Sequence, residues 1–366
     1  IAASIVMQYW FPSVPPLLWC GLFFSAIVVL NLLSVKHYGE AEYWMSLLKV
    51  LAILAFIVIG LLVIFGVNSA HHVYGLQNWV IGDAPFHGGF SSLFAVFLLS
   101  GFSFQGTELV GIAAGESKNP ERTIPQAIRQ VFWRILIFYI LSMAIMSCII
   151  PYTDAHLLNA SNSVAMSPFT LILQQCGLYG VASIMNAVIL IALLSACNSD
   201  CYSATRVLWH LAEKGSAPKV LARTNRFGVP VTALLITASF GLLSLMCDHL
   251  GSGTVFLWLV NVSSLSGFIA WFGIALSHYK FRQAFVAAGG EISALPYRAR
   301  FYPWGPILAL VMCSVIIAGQ GYLLLLQPHA SWLTWLSTYV GLPIVIGLWW
   351  ANKMYRQQQQ RFSCAA

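Results

Sequence analysis

The stretch Gly101-Phe-Ser-Phe-Gln-Gly-Thr-Glu108 decides the fold. It interrupts an apolar run from Phe90 to Gly115 with two glycines, a serine, a glutamine, a threonine and a carboxylate, where a membrane helix would meet hydrocarbon. In lipid, a freed backbone and polar side chains are tolerated only where they line a protein-enclosed cavity, and broken helices near the midplane are how secondary transporters build solute sites. The interruption points to transport.

The rest of the chain supports a membrane setting. Of 366 residues, 59% are hydrophobic and 8% charged, with mean hydropathy +0.80, whereas a soluble globule carries about 25% charge. At about 20 apolar residues per crossing, nine spans are expected at residues 17–35, 41–66, 90–115, 131–151, 177–212, 229–247, 254–278, 304–326 and 332–352. Taking alternate connections, one set holds Lys36, then Lys118 to Arg134, then Arg206 to Arg226, then Lys280 to Arg300, then Lys353 to Arg361; the other set holds no Lys or Arg. The positive-inside rule makes the first set cytoplasmic, and the C-terminal tail, with Gln357–Gln360, falls with it. The net charge of +7 is this asymmetry; a nucleic-acid partner would need a soluble basic domain. Lys49 stands apart, inside a span.

Nine spans ending inside require a start outside, yet the first residue is Ile, and Ile1-Ala-Ala-Ser-Ile-Val-Met-Gln-Tyr-Trp-Phe-Pro12 reads as the end of a helix stopping at a proline. The expectation from this stretch is a chain lacking its beginning. The eight cysteines form no CxxC pair, so neither a zinc site nor a disulfide scaffold is expected, and no metal or cofactor is called for. No His/Asp cluster or metal spacing within the spans speaks for an enzyme.

Several residues stand out for chemistry. The glycines at 101, 106, 111 and 115 serve either close helix packing or an unwound turn around Ser103 to Gly106, whose backbone groups would hold the charged ends of a zwitterion. Ser103, Phe104, Gln105, Gly106, Thr107 and Glu108 are the candidate substrate-binding residues. Glu108 is an intramembrane carboxylate, costing at least ~2.5 kcal/mol at the bilayer centre; it faces the substrate or accepts backbone hydrogen bonds at the start of the second half-helix. Lys49 lies about 12 Å into its span. It either snorkels to the cytoplasmic face, or replaces a bound cation, or loses its proton during a cycle. Ser195-Ala-Cys-Asn-Ser-Asp200, with Tyr202, Ser203 and Thr205, is a polar helix end mostly explained by solvent, although Ser195 and Asn198 oxygens would suit Lys49 if the two helices face each other. Asn261-Val-Ser-Ser-Leu-Ser-Gly267 is packing or cavity wall. Gly115–Ala127 reads as a solvated loop stiffened by two prolines, with Glu116 the candidate for gating from inside.

These motifs resemble the amino acid–polyamine–organocation (APC) superfamily, and within it the amino-acid transporter family of bacterial permeases. The likeness is carried by Gly101–Ser117, Asn119-Pro120, Ile124-Pro-Gln-Ala127, Arg129–Arg134, Ile150–Asp154, Ser167–Thr170, Met185–Leu190 and Gly267–Trp271, with Gly39–Trp44 and Leu48-Lys-Val50 upstream. It covers essentially the whole chain and is strongest toward lysine-specific permeases. What the resemblance implies is an all-α polytopic membrane protein of leucine-transporter type with a 5+5 inverted repeat. Here that fold would lack about three spans, and residues 1–366 would form a single transmembrane permease domain. Residues 1–12 would end a preceding helix, 17–278 would be family spans four to ten, 304–352 two accessory spans and 353–366 a cytoplasmic tail. The break would be one of two discontinuous substrate-holding helices. Lys49 would stand where proton-coupled members replace a sodium site with lysine, with Ser195 and Asn198 nearby. Cys197 and Asp200 depart from the small residues common in relatives, and Asp200 either forms an ion pair near Lys49 or marks relaxed selection on the gene.

The implied function is a proton-coupled importer of lysine or another basic amino acid in the bacterial inner membrane, with lipid around it. Without the partner broken helix it is expected to be inactive alone. The alternative is an amino-acid sensor acting through a membrane regulatory partner.

Overall fold

The computed structural model describes residues 1–32, 35–67, 71–84, 87–112, 119–154, 167–246, 252–295, 297–299, 301–325 and 332–364. The chain is 78% helix, and no strand occurs among the described residues. Helices overlie each of the nine expected segments, although they differ in length. Four are long and apolar enough to cross a membrane: Glu42–Ile64, Pro120–Ile149, Tyr179–Glu213 and Val255–Ala287. Shorter apolar helices occupy Pro16–Leu32, Val231–Met246 and Trp304–Gly319. Large apolar side chains such as Leu18, Leu51, Val58, Ile184 and Leu308 point outward, the inverse of a soluble surface and the arrangement that lipid covers.

The chain divides into two compact units, residues 1–87 with 132–256, and residues 88–131 with 257–366. In the first, the 35-residue helix Tyr179–Glu213 packs against Val35–Ile64, Pro168–Gln175 and Val231–Ser239. The core lies where these helices meet Ser142–Ile149: Phe56, Ile57, Val63, Ile145, Ile149, Leu171, Ile172, Leu173 and Met185 are buried together. Phe56 meets Phe169 edge-on with centroids 4.6 Å apart, a geometry that aromatic quadrupoles favour. Helix Ala2–Met7 is tied in by polar contacts: Trp10 Nε1 donates to Ser183 Oγ at 3.0 Å and Gln174 Nε2 donates to Tyr9 Oη at 3.0 Å.

Two segments differ from the sequence expectation. Residues 168–175, expected in a connection, form a short helix with Thr170, Leu171, Ile172 and Leu173 buried. Pro168 at its first position has φ preset for a helix and needs no N–H partner. Its end is a Schellman turn: Gly177 (φ +78°) donates to Gln174 and Leu178 donates to Leu173, a conformation that glycine adopts without Cβ strain. The second is the loop expected over 115–127, which is helical from Pro120 through Arg134, with Pro125 inside it. Pro120 again takes the first position, and Pro125 removes a bond only to the carbonyl of exposed Glu121 near the helix end, so neither proline stops the helix. Glu116, the gating candidate, lies outside the described residues.

In the second unit, Phe268, Cys313 and Ile316 form a small core with Phe97, Trp271, Phe272 and Ile317 around it. Helix Gly89–Phe104, the turn after it and the short helix Leu109–Ile112 belong here, together with residues 257–287 of the helix Ser252–Ala287.

Candidate substrate and coupling sites

The helix beginning at Gly89 stops at Phe104, and residues 105–108 form an irregular turn before the chain becomes helical again at Leu109. Gln105 has extended dihedrals (φ −58°, ψ 149°) and Gly106 has φ +92°, a region that costs an L-residue about 1–2 kcal/mol. The break therefore lies two residues later than the sequence suggested. Ser103 and Phe104 close the first half-helix, whereas Gln105, Gly106, Thr107 and Glu108 make the turn. After the turn the backbone bonds resume, with Leu109 N–H donating to the Gly106 carbonyl and Gly111 N–H to the Glu108 carbonyl.

One face of the Ser252–Ala287 helix holds the turn. Positions 263, 267 and 271 are spaced by four and so lie on one stripe. Gln105 Nε2 donates to the Ser263 carbonyl at 2.5 Å, and Ser263 Oγ donates back to Gln105 Oε1 at 2.8 Å. Gly267 lies directly under the Gln105 amide, where any Cβ would collide with it. Trp271 Nε1 donates to Glu108 Oε2 at 3.0 Å. One turn before the break, Gly101 leaves room for the Phe268 ring. The glycines thus divide the two roles between them, with Gly101 and Gly267 for close packing and Gly106 for the turn. Ser263 and Gly267 belong to the run read as packing or wall. Trp271 carries a family likeness in the sequence, and its spacing of four from Gly267 is the signal that places it on the same stripe.

The second polar cluster is in the other unit, described by itself. Lys49 Nζ donates to Ser195 Oγ at 2.7 Å and lies 3.3 Å from Glu42 Oε1. Ser195 Oγ in turn donates to the Glu42 carboxylate, 2.7 Å from Oε1 and 2.8 Å from Oε2. The three groups close a ring of charge-assisted bonds, with about a quarter of the Lys49 and Glu42 side chains exposed (24% and 23%). The carboxylate at Lys49 is therefore Glu42, not Asp200. Glu42 lies seven residues, two turns, before Lys49 on the same helix face, and that spacing was the missed signal.

Ser195 meets Lys49 as its hydroxyl chemistry suggested, but Asn198 does not. Its Oδ1 accepts from Asn31 Nδ2 at 2.8 Å, and Asn31 Nδ2 also donates to the Ile27 carbonyl at 3.0 Å. Three residues on from Ser195, Asn198 is turned by roughly 300° about the axis at ~100° per residue, enough to face the Pro16–Leu32 helix. Ser195, Asn198 and Thr205 are buried, so this is an interhelical polar seam rather than the solvent-exposed helix end expected. Among the described residues, no group of three or more His, Cys, Asp or Glu is placed to hold a metal ion.

A broken helix pinned through Gln105 and Glu108, and an unbroken one carrying a lysine–carboxylate pair, can be compared with known proteins. The family model described as amino acid permease matches residues 1–363. The chain belongs to the amino acid permease family. That places it in the APC superfamily and makes it a multi-pass membrane protein. It is 48% identical to the lysine-specific permease LysP of Escherichia coli (strain K12) over 357 residues, covering 97% of this chain and 73% of that protein. It is 43% identical to LysP of Lactococcus lactis subsp. cremoris, covering 96% of this chain and 70% of that one, and 42% identical to the histidine permease HisP of the same organism, covering 96% and 73%. These relatives are named as permeases, not enzymes. Within this family of amino-acid permeases, the break at residues 105–108 and the Glu42–Lys49–Ser195 ring are the polar features described above.

Proposed function

We propose that the chain is a secondary active permease of the bacterial inner membrane that takes up lysine or another basic amino acid together with a proton. The observation that carries the reading is the turn at residues 105–108. Its backbone, taken out of the regular helix at Gln105 and Gly106, suits the charged ends of a zwitterion, and Glu108, held at one oxygen by Trp271, offers a second oxygen to the substrate's cationic side. Ser103, Phe104 and Thr107 flank that position. Two relatives named as lysine-specific permeases, LysP of E. coli and LysP of L. lactis, support the substrate class.

The coupling ion enters through Lys49. An ammonium bonded to Ser195 and Glu42 fills the place of a metal cation without needing one, and a pair that can neutralise by moving one proton from ammonium to carboxylate is suited to proton coupling. Asn198 supports this helix pair from the far side of the seam. Nine spans with the basic connections and the C-terminus cytoplasmic, surrounded by lipid, complete the reading.

The test is equilibrium binding of labelled lysine to the purified protein, alongside its accumulation by cells devoid of their own lysine uptake under an imposed pH gradient. Saturable binding displaced by lysine and arginine, but not by alanine or glutamate, is expected. Equal displacement by neutral or acidic amino acids overturns the substrate class, and accumulation indifferent to the pH gradient overturns the coupling.

A further inference from the structure

Arg282 is the one charged side chain buried below a tenth of its surface among the described residues, at 6% exposed. It lies near the end of the Ser252–Ala287 helix, and its Nε–H has no hydrogen-bond partner. Among the described residues, no carboxylate reaches it within ion-pair distance. What covers it is aromatic. The Tyr302 ring lies over the guanidinium with its centroid 4.6 Å from Cζ. That ring is itself fixed: its hydroxyl donates to the Tyr279 carbonyl at 3.3 Å, and it packs against the His278 ring at 5.8 Å and the Tyr279 ring at 6.1 Å.

A cation–π contact is a modest attraction, whereas a guanidinium removed from water without an anion loses far more in hydration. Tyr302 alone does not make up that difference, so the site is short of a negative charge. Its depth indicates where the charge would come from. The apolar part of the helix ends near His278, and Arg282 lies four residues further on, about 6 Å along the axis. Tyrosines at 279 and 302 and cations at 280 and 298 occupy the same end, the composition of a membrane–water boundary, where headgroup phosphates lie. The planar fork of an arginine matches two phosphate oxygens at once through Nε–H and a terminal N–H. Of the Arg282 nitrogens, only Nε is both buried and without a partner, so an oxyanion binds first at the terminal nitrogens and reaches Nε–H when the cover over it gives way.

We infer that Arg282, capped by Tyr302, binds an oxyanion of the phosphate class, supplied by the headgroup of an anionic phospholipid or by free phosphate. The full chain is purified as wild type, Arg282→Gln, Arg282→Lys and Arg298→Gln, the last removing an exposed cation of the same end. Phosphatidylglycerol retained per protein is counted by native mass spectrometry after reconstitution in mixed phosphatidylcholine–phosphatidylglycerol bilayers. A second arm uses phosphatidylcholine alone with added inorganic phosphate and reads the thermal midpoint.

The expected result is retention lower by about tenfold in Arg282→Gln, the effect of losing one charged hydrogen bond, with Arg298→Gln at the wild-type level. If Arg282→Gln does not fold, Arg282→Lys, which keeps the charge and loses the fork, carries the test, with retention again below wild type. Stabilisation of the wild type but not the Arg282 variant by phosphate in the second arm identifies the free anion as the source. Equal retention by wild type and the Arg282 variants with no phosphate effect overturns the site, as does equal loss in Arg298→Gln, which would mean diffuse surface charge. Lysine binding at the 105–108 turn is measured on the same samples, so failure of this site and failure of the substrate reading appear separately.

Discussion

Glu108 and Lys49 are both charges placed among apolar helices, and the fold accommodates them in opposite ways. At Glu108 the backbone itself gives way: the helix ends at Phe104, Gly106 takes a left-handed turn, and among the described residues the carboxylate accepts from the Trp271 indole. At Lys49 the helix runs on unbroken, and the charge is met by side chains alone, Glu42 from two turns earlier and Ser195 from another helix. The difference separates an open site from a closed one. Glu108 has a second carboxylate oxygen beyond the one Trp271 holds, while Glu42, Lys49 and Ser195 bond to one another.

The largest expected effect breaks the closed side. Lys49→Ala leaves Glu42 with no counter-charge, and loss of the pH-driven part of lysine accumulation by at least about tenfold is expected, together with a lower thermal midpoint. Adding Glu42→Gln to Lys49→Ala should recover part of that midpoint without recovering accumulation, because removing one partner of a sheltered pair costs more than removing both. A double variant no more stable than the single would show that the pair carries no shared energy.

The next effect tests the open side. Gly106→Ala forces an L-residue to φ +92° although space is free, its nearest contact being Leu109 Cδ1 at 3.7 Å; a loss of about 1–2 kcal/mol and lysine binding weaker by a similar factor are expected. Gly111→Ala, five residues on in a helix with nothing within 4 Å, should be neutral or stabilising by up to ~1 kcal/mol. Equal behaviour of the two variants would mean that the turn does not depend on its left-handed residue.

A smaller effect is expected for Trp271→Phe, which keeps the ring and removes one donor to the carboxylate: lysine binding weaker by roughly fivefold, within the range for a hydrogen bond to a charged group. Smallest is Asn198→Ala, which removes the bond of Asn31 across a buried seam and leaves it the Ile27 carbonyl; ~0.6 kcal/mol in stability, the average for interhelical polar pairs in lipid, and unchanged pH dependence are expected. Ser195→Ala, on the same helix three residues earlier, should alter the pH profile, and that contrast separates the coupling ring from the seam.

The sequence made the open side largely legible, because glycine and polar residues in an apolar run announce their own anomaly. Its two-residue offset has a local cause: a serine and a phenylalanine can stay helical at 103 and 104, and only Gly106 supplies the dihedral that ends the run. The closed side was legible in half. Lys49 stood out as a lone cation in a span, and hydroxyl chemistry pointed to Ser195, but the choice of Glu42 over Asp200 and the turning of Asn198 toward Asn31 depend on how helices rotate against one another. The buried helix at Pro168–Gln175 was missed because eight residues with a threonine and two glutamines carry too little periodicity to distinguish a turn-rich connection from a packed plug. Arg282 was counted among the basic residues of its connection, since its burial comes from Tyr302, twenty positions later.

The Trp271–Glu108 bond makes the substrate turn its own optical reporter. An indole whose N–H donates to a carboxylate emits differently from one whose acceptor is withdrawn, so recruitment of Glu108 by a cationic ligand is expected to change the emission of this ring. With thirteen tryptophans in the chain, the signal has to be isolated by replacing the others or by labelling position 271 alone. The same ring that holds the carboxylate then distinguishes an empty turn from an occupied one without a radioactive ligand.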